Sequence, residues 1–255
     1  MATSKSFFNN LFKDNPAFDS VLSNKDSWNV QVIFTRIDRN HRNKPRLTTF
    51  IYNDNPQYFY PASTVKLPIA LLSLQRLSEL KKQGVDKNTT MLTEAAYSRQ
   101  TAVYNDPNTP DGRPTVANYI RKIFLVSDND AANRLYEFLG QEYINTELHK
   151  KGYSEAQILH RLAITLTEDE NRHSNPIKFY DKGGKLIYSQ KLKQNYETYS
   201  PRNDFSGQGY YSNGKLINAP MDFSKKNRIA LASLHKMMTG IVFPEKVKRS
   251  ERILL

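Results

Sequence analysis

The chain has 255 residues, of which 38% are hydrophobic and 24% are charged, and this composition excludes a globally disordered protein. Lys and Arg total 37 against 25 Asp and Glu, but the basic residues are scattered along the chain, which argues against a nucleic-acid-binding module. No cysteine is present, so disulfides, thiolate metal sites and a cysteine nucleophile are excluded. Because the chain has no apolar stretch long enough to span a bilayer and no histidines at metal-ligand spacing, the sequence predicts no transmembrane segment, no metal and no cofactor.

A helix and a β-hairpin are predicted at the start of the chain. Apolar residues recur near the helical period over residues 6–22, with Pro16 as a break. Residues 29–37 and 47–52 are rich in β-branched and aromatic side chains, and a turn that contains Asn and Pro separates them. This pattern predicts two strands that pair as a hairpin.

Helical patterns dominate the middle of the chain. Apolar residues at helical spacing predict four helices, over residues 64–82, 116–126, 131–139 and 141–151. A glycine follows three of these segments, where it can end a helix without strain. Asp130 is the predicted N-cap of the helix over residues 131–139.

A polar, turn-rich insertion is predicted at about residues 175–224. Within it, residues 178–188 predict a small hairpin around Gly183-Gly184, because a pair of glycines favours a tight turn. Residues 203–220 predict a loop.

A helix is predicted to return over residues 225–238, with Ser224 as its N-cap and Gly240 at its end, before a last amphipathic run up to Leu255. These elements divide the chain into three predicted parts. Residues 1–58 contain the helix and strands of an α/β subdomain, and residues 59–240 form a mainly helical subdomain that includes the insertion. Residues 241–255 begin a return to the sheet.

The first candidate catalytic motif is Ser63-Thr64-Val65-Lys66, at the start of the apolar helix. Residues three apart share one face of a helix, so the Ser63 hydroxyl and the Lys66 amine can meet. A serine is a weak nucleophile without an adjacent base, and a lysine can act as that base when burial and a helix N-terminus lower its pKa. As an isolated pattern, Ser-x-x-Lys also fits a surface serine beside a solvated lysine.

A second motif, Ser127-Asp128-Asn129, lies between two predicted helices. Alone, it is typical of a capping loop, because all three residue types favour turns. The two motifs together, Ser63-x-x-Lys66 followed by Ser127-Asp128-Asn129, indicate a catalytic site much more specifically than either motif does by itself.

With both motifs, the chain resembles the penicillin-recognising serine hydrolases, and it is most similar to class A β-lactamases. The resemblance extends from about Asn29 to Leu255 with a divergent middle, and it includes residues 128–135 and residues 229–240. It implies a β-lactamase/transpeptidase-like α/β fold, in which a helical subdomain packs on an antiparallel sheet flanked by helices. It also implies that the substrate is a small β-lactam or a cell-wall peptide.

The resemblance implies a role for each motif residue. Ser63 would be the acylated nucleophile, Lys66 would take its proton, and Ser127 would pass a proton to the leaving nitrogen. Asn129 would bind the substrate and Asp128 would hold the loop in shape. Tyr104 lies ahead of the second motif, where the family places a wall beside the substrate.

One departure from the family concerns the base that activates the deacylating water. Class A enzymes carry this Glu on the Ω-loop with an Asn four residues later, whereas here Thr167 stands four residues before Asn171. Glu168 and Glu170 are the candidate bases in this region, and their alternative interpretation is an acidic surface loop. A missing base would slow deacylation, which favours the alternative of a D-Ala-D-Ala peptidase or a covalent penicillin-binding protein.

A second departure is the family's Lys-[Ser/Thr]-Gly strand, which has no match in the sequence. Lys182-Gly183-Gly184 is the nearest pattern, but it precedes the returning helix and predicts a hairpin turn. The expectation is therefore a truncated reading frame in which the C-terminal strands are missing. An authentic stop codon directly after Leu255 would refute it.

A non-catalytic relative is the remaining alternative. It would keep the fold and use the tyrosine-rich insertion to bind cell-wall polymer or another protein. The joint presence of Ser63, Lys66, Ser127 and Asn129 argues for the enzyme. The family also implies a bacterial protein that is periplasmic, secreted or lipid-anchored, and the sequence leaves the oligomeric state open.

Overall fold

The computed structural model describes residues 4–13, 15–53 and 58–253, so the ends of the first and last predicted segments lie outside the described residues. The described residues form helices joined to short strands. The helices are α1 (Ser4–Phe12), α2 (Asp19–Ser23), α3 (Lys66–Glu79), α4 (Val116–Val126), α5 (Asn129–Leu139), α6 (Gln141–Lys150), α7 (Glu168–Arg172) and α8 (Leu231–Val242). The strands are β1 (Val32–Arg39), β2 (Pro45–Tyr52), β3 (Thr90–Thr93), β4 (His173–Ser174), β5 (Ile177–Tyr180), β6 (Leu186–Gln190), β7 (Lys193–Gln194), β8 (Phe205–Ser206), β9 (Tyr210–Ser212), β10 (Lys215–Ile217) and β11 (Met221–Asp222).

The strands form small antiparallel sheets. β1 and β2 make a two-stranded hairpin, and β3, β5 and β6 make a three-stranded sheet with β5 in the centre. The pairs β4–β7, β8–β11 and β9–β10 are shorter. The predicted mixed α/β fold with antiparallel sheets and flanking helices is therefore confirmed.

The core is built around α5. Every residue from Ala131 to Leu139 is buried, and α3 and α4 both pack against this helix. A helix that is buried on all sides belongs to the interior of a domain. Consequently, the first turn of α5 and the first turn of α3, which carry the two candidate motifs, are held by the most buried part of the molecule.

The β1–β2 hairpin is covered by α1 on one face. The Phe7 ring stacks on Phe50 with ring centroids 4.0 Å apart and on Phe34 at 5.2 Å. On its other face, the hairpin contacts α8, where Thr35 Oγ1 lies 2.7 Å from His235 Nε2. The hairpin is thus attached to both the N-terminal and the C-terminal helices.

Several predicted elements are confirmed. The β1–β2 hairpin, the hairpin around Gly183-Gly184 and the helices over residues 116–126 and 141–151 lie where the sequence places them. Gly84, Gly140 and Gly152 all have positive φ angles, which glycine adopts without strain. Among the described helices, none has both the length and the apolar character that crossing a membrane requires.

The predicted break at Pro16 is confirmed, because a 3-10 turn at Pro16–Phe18 separates α1 from α2. The predicted N-cap of α5 was wrong. The N-cap of α5 is Asp128 and not Asp130, because the Asp128 side chain accepts a hydrogen bond from Ala131 N at 3.0 Å. Asp130 already lies inside the first helical turn.

The prediction of a helix that begins after Ser224 was also wrong. Residues 224 and 225 form a turn, and Arg228 then exchanges two backbone hydrogen bonds with Gln157 at 2.7 and 2.9 Å, so the helix begins only at Leu231. The Arg202 guanidinium further holds the carbonyl oxygens of Ser224 and Lys226. Gly240 lies within α8 rather than at its end.

The predicted loop over residues 203–220 contains the short strands β8, β9 and β10, which is a further correction. The strand β3 was missed by the sequence analysis altogether. It has only four residues, and its partner β5 lies far along the chain.

A buried charge cluster anchors the segment that follows α6. Arg161 and Glu137 form an ion pair of 2.9 Å with both side chains only 3% exposed. The same guanidinium donates to the carbonyl oxygens of Glu170 and His173 and to Asn175 Oδ1. These bonds fix residues 161–175 against α5.

Removal of this guanidinium is expected to destabilise the fold strongly. Arg161→Met leaves the buried Glu137 carboxylate with Arg134 alone, at 3.0 Å, and it removes the donor to three acceptor oxygens of Glu170, His173 and Asn175. Breaking such a buried ion pair usually costs about 3–5 kcal/mol. Arg113→Met is the matched control, because Arg113 forms an exposed pair with Asp111 and should cost at most about 1 kcal/mol. Urea unfolding of both variants measures the difference, and similar midpoints would contradict a structural role for the cluster.

Candidate functional site

The two sequence motifs meet at one amine. Lys66 Nζ lies 3.2 Å from Ser63 Oγ, 2.9 Å from Ser127 Oγ and 2.7 Å from Asn129 Oδ1. It also donates to the backbone carbonyl oxygen of Ser127 at 2.5 Å. The Ser127 and Ser63 hydroxyl oxygens are 3.3 Å apart, so the three groups form a closed triangle.

Ser63 and Lys66 are positioned by the start of α3. Ser63 lies in a 3-10 turn, Ala62–Val65, that continues directly into the helix. Ala62 has a φ of +44°, an unusual conformation for a residue with a side chain, and it turns the chain immediately before the serine. As a result, the Ser63 hydroxyl is exposed while the Lys66 side chain, one turn later, is buried.

Ser127 is positioned by the junction of α4 and α5. It ends α4 in the left-handed conformation, with φ of +53° and its N–H bonded to the carbonyl oxygen of Lys122. The next residue, Asp128, caps α5. This sharp reversal directs both the hydroxyl and the carbonyl oxygen of Ser127 toward Lys66.

Burial lowers the pKa of the Lys66 amine below its usual value of 10.5, and the nearby Asp128 carboxylate partly opposes this effect. A lowered pKa increases the fraction of neutral amine at a given pH. Since only the neutral amine can accept a proton, the lowered pKa favours Lys66 as a candidate base beside the exposed Ser63. The contacts among Ser63, Lys66 and Ser127 provide a path along which a proton could pass.

This geometry agrees with a family assignment. The model of the family described as "Beta-lactamase enzyme family" matches residues 18–252, which is nearly the whole chain. The chain belongs to this beta-lactamase enzyme family. A search of curated proteins found no match.

Membership of this family supports the resemblance to the penicillin-recognising serine hydrolases in its general form. It also supports a hydrolase of the β-lactamase type. The matched range includes Ser63, Lys66, Ser127 and Asn129. The structure brings all four together, although their roles in a reaction stay predictions. Two features of the cluster had no signal in the motifs, namely the contact of the Ser127 carbonyl with Lys66 and the left-handed backbone of Ala62.

The two candidate bases for deacylation have other partners. Glu168 pairs with Lys225 at 2.8 Å and with Arg172 at 3.3 Å, and the Lys225 contact is the main reason its pKa is lowered. Glu170 accepts from Thr167 N and Oγ1 in a capping box of α7 and from Ser98 Oγ. Within the described residues, neither carboxylate contacts the Ser63–Lys66 cluster.

Tyr104 is 62% exposed and is not joined to the cluster by any hydrogen bond or ring contact among the described residues. It stays a predicted substrate wall. Lys182 belongs to the turn of the β5–β6 hairpin, as the sequence predicts. Across the parts of the chain that the structure describes, no group of three or more His, Cys, Asp or Glu side chains is arranged to hold a metal ion.

Asp128→Asn is expected to lower the pKa of Lys66 further while the fold is kept. Asparagine is as good an N-cap as aspartate, but it lacks the charge that raises the lysine pKa. An NMR titration of the Lys66 Cε signal measures the change. Asp130→Asn is the matched control, because it removes a charge from the same helical turn, where Asp130 faces Arg134 at 3.4 Å. A pKa that rises or stays constant in Asp128→Asn would contradict this electrostatic account.

Proposed function

We propose that this protein is a serine hydrolase that opens β-lactam amides through an acyl-enzyme on Ser63. The observation that carries the proposal is the position of Lys66 Nζ, within 3.2 Å of the hydroxyl oxygens of both Ser63 and Ser127. The family supports β-lactams as the substrate class. The similarity of the motifs to class A enzymes supports the finer assignment to that class.

The proposed acylation needs three proton transfers. Neutral Lys66 takes the Ser63 proton as Ser63 Oγ attacks the lactam carbonyl carbon. When the C–N bond breaks, the nitrogen receives a proton from Ser127, which is replenished by Lys66 at 2.9 Å. The products of this step are a serine ester and a ring-opened amine, with no other reactant consumed.

The developing oxyanion requires hydrogen-bond donors. Ser63 lies at the second position of the turn that opens α3, and the first N–H groups of a helix lack partners within it. The Ser63 N–H is therefore the donor we assign to the oxyanion. The positive end of the helix adds a favourable electrostatic contribution at the same place.

Release of the acyl group is expected to be slow. Glu168 is held by Lys225 and Arg172, and Glu170 is held by Thr167 and Ser98, so neither carboxylate is available to activate a water at Ser63. This observation favours, as a second candidate, a penicillin-binding protein or D-Ala-D-Ala peptidase with a long-lived adduct. Either substrate would place the protein outside the cytoplasmic membrane of a bacterium, in the periplasm, secreted or lipid-anchored.

A persistent penicillin adduct on Ser63 is the expected result of intact-mass spectrometry. Ring opening adds the whole mass of the penicillin, because no fragment leaves the molecule. Ser63→Ala should carry no adduct. Thr64→Ala should still form it, since Thr64 is the neighbouring hydroxyl and instead bonds to the Pro61 carbonyl oxygen.

The absence of an adduct together with unhydrolysed penicillin would overturn the proposal. Rapid hydrolysis without an accumulating adduct would support the β-lactamase and contradict slow release. An adduct that forms equally on Ser63→Ala would show that another residue is the nucleophile.

The rate of acylation is expected to rise with pH. Lys66 must be neutral to accept the Ser63 proton, and burial lowers its pKa, so the rise should occur below pH 10.5. Lys66→Met should lose this rise and slow acylation by about 10²–10⁴, the usual contribution of a general base. Stopped-flow acylation by a chromogenic cephalosporin gives both quantities, with Thr64→Ala as the control. A pH-independent rate in the unaltered protein would exclude Lys66 as the base.

A further inference from the structure

A cavity of about 670 Å³ lies apart from the Ser63–Lys66 cluster. Its walls come from three stretches of chain, residues 157–172, 198–202 and 224–226, together with Tyr60 and Gln141. None of the four clustered residues lines it. Its volume falls within the range of about 300–1,000 Å³ that is typical of small-molecule sites.

The cavity walls carry a net positive charge. The basic lining residues are Arg161, Arg172, Arg202, Lys225 and Lys226, whereas Glu168 is the acidic one. Two carboxylates outside the lining also neutralise part of this charge, since Glu137 pairs with Arg161 and Asp204 pairs with Arg202. The basic groups still outnumber the acidic ones, so the cavity favours an anion.

Arg202 is a buried cation of this wall, as is Arg161. The Arg202 side chain is 7% exposed, and it donates to the carbonyl oxygens of Phe223, Ser224 and Lys226. Its buried Nη1 atom, however, has no hydrogen-bond partner among the described residues. A buried guanidinium N–H without an acceptor is costly, and the charge of an anion in the cavity would reduce that cost.

Lys226 adds a positive charge that no described carboxylate pairs with. Within the described chain, no carboxylate lies within the 4.0 Å ion-pair distance of its ammonium group. The group is nevertheless close to the cavity wall, since burial and the Lys226 charge together lower the pKa of His160. Lys226 and Arg202 thus provide two positive groups on one side of the cavity.

The rest of the wall is suited to a hydroxylated ligand. Tyr60 stacks on His160 with ring centroids 6.4 Å apart, and His160 Nε2 is a buried atom without a partner. Hydroxyl-bearing residues share the remaining surface with apolar ones, and they are Thr165, Thr198, Tyr199 and Ser200. An aromatic wall with hydroxyl groups around it is complementary to a sugar ring.

We propose that this cavity is a second ligand site, which binds a small hydroxylated organic oxyanion such as a sugar acid or a sugar phosphate. The carboxylate or phosphate oxygens would bind Arg202 and Lys226, and the ring would lie against Tyr60. This site is additional to the proposed acyl-transfer reaction and does not depend on it.

Three sugars that differ at one carbon test the site. Glucuronate and glucose 6-phosphate carry a carboxylate and a phosphate, respectively, where glucose carries a neutral hydroxymethyl group. Calorimetric titration of the full chain at fixed ionic strength should show saturable binding of one or both anions. Glucose should bind at least about tenfold more weakly, since a hydrogen bond to a charged group is worth that factor or more.

Charge-removing variants then locate the ligand. Lys226→Gln should weaken anion binding by about tenfold or more and leave thermal unfolding unchanged, because the Lys226 side chain has no described hydrogen bond or ion pair. Lys44→Gln removes an equal charge from the exposed β1–β2 turn and should bind as the unaltered protein does. Ser63→Ala should also bind normally, which separates this site from the catalytic cluster.

Four outcomes would overturn the proposal. These are no saturable binding of either anion, equal binding of glucose, equal weakening by Lys44→Gln and Lys226→Gln, or loss of binding in Ser63→Ala. The last outcome would place the anion at the Ser63 cluster. A failure of penicillin to acylate Ser63 would leave this test unaffected.

Discussion

The burial of one amine group determines how the candidate site is assembled. A lysine can be buried only when oxygen atoms replace the water around its amine. Ser127 and Asn129 provide these oxygens, so the start of α3 must dock against the junction of α4 and α5. The left-handed conformation of Ser127 and the N-cap at Asp128 follow from the same requirement, because they form the reversal that presents these oxygens to Lys66.

Local chemistry explains what could be predicted from the sequence. The pairing of Ser63 with Lys66 needs only one helical turn. The bounds of α4 follow from apolar residues at helical spacing and from the residues that cap the helix at each end. Long-range contacts explain what could not. The start of α8 at Leu231 depends on the pairing of Gln157 with Arg228, and the strand β3 depends on β5, neither of which leaves a local pattern. The basic cavity likewise combines three distant stretches of chain.

The segment over residues 161–175 shows how acidic residues in a family-typical region can acquire structural roles. Arg161 binds backbone carbonyls in this segment while it pairs with Glu137 of α5. Glu170 closes the capping box of α7, and Glu168 connects α7 to Lys225. Their carboxylates stabilise the segment that forms one wall of the basic cavity.

The shortest contact of Lys66 is with a backbone atom, the carbonyl oxygen of Ser127. Any amino acid at position 127 carries that oxygen, provided that it tolerates the left-handed conformation, as Asn, Asp and Gly do. A substitution at this position could therefore abolish the proposed proton relay without releasing the lysine. The anchoring of Lys66 and the proposed relay are thus separable in evolution, although one residue supplies both.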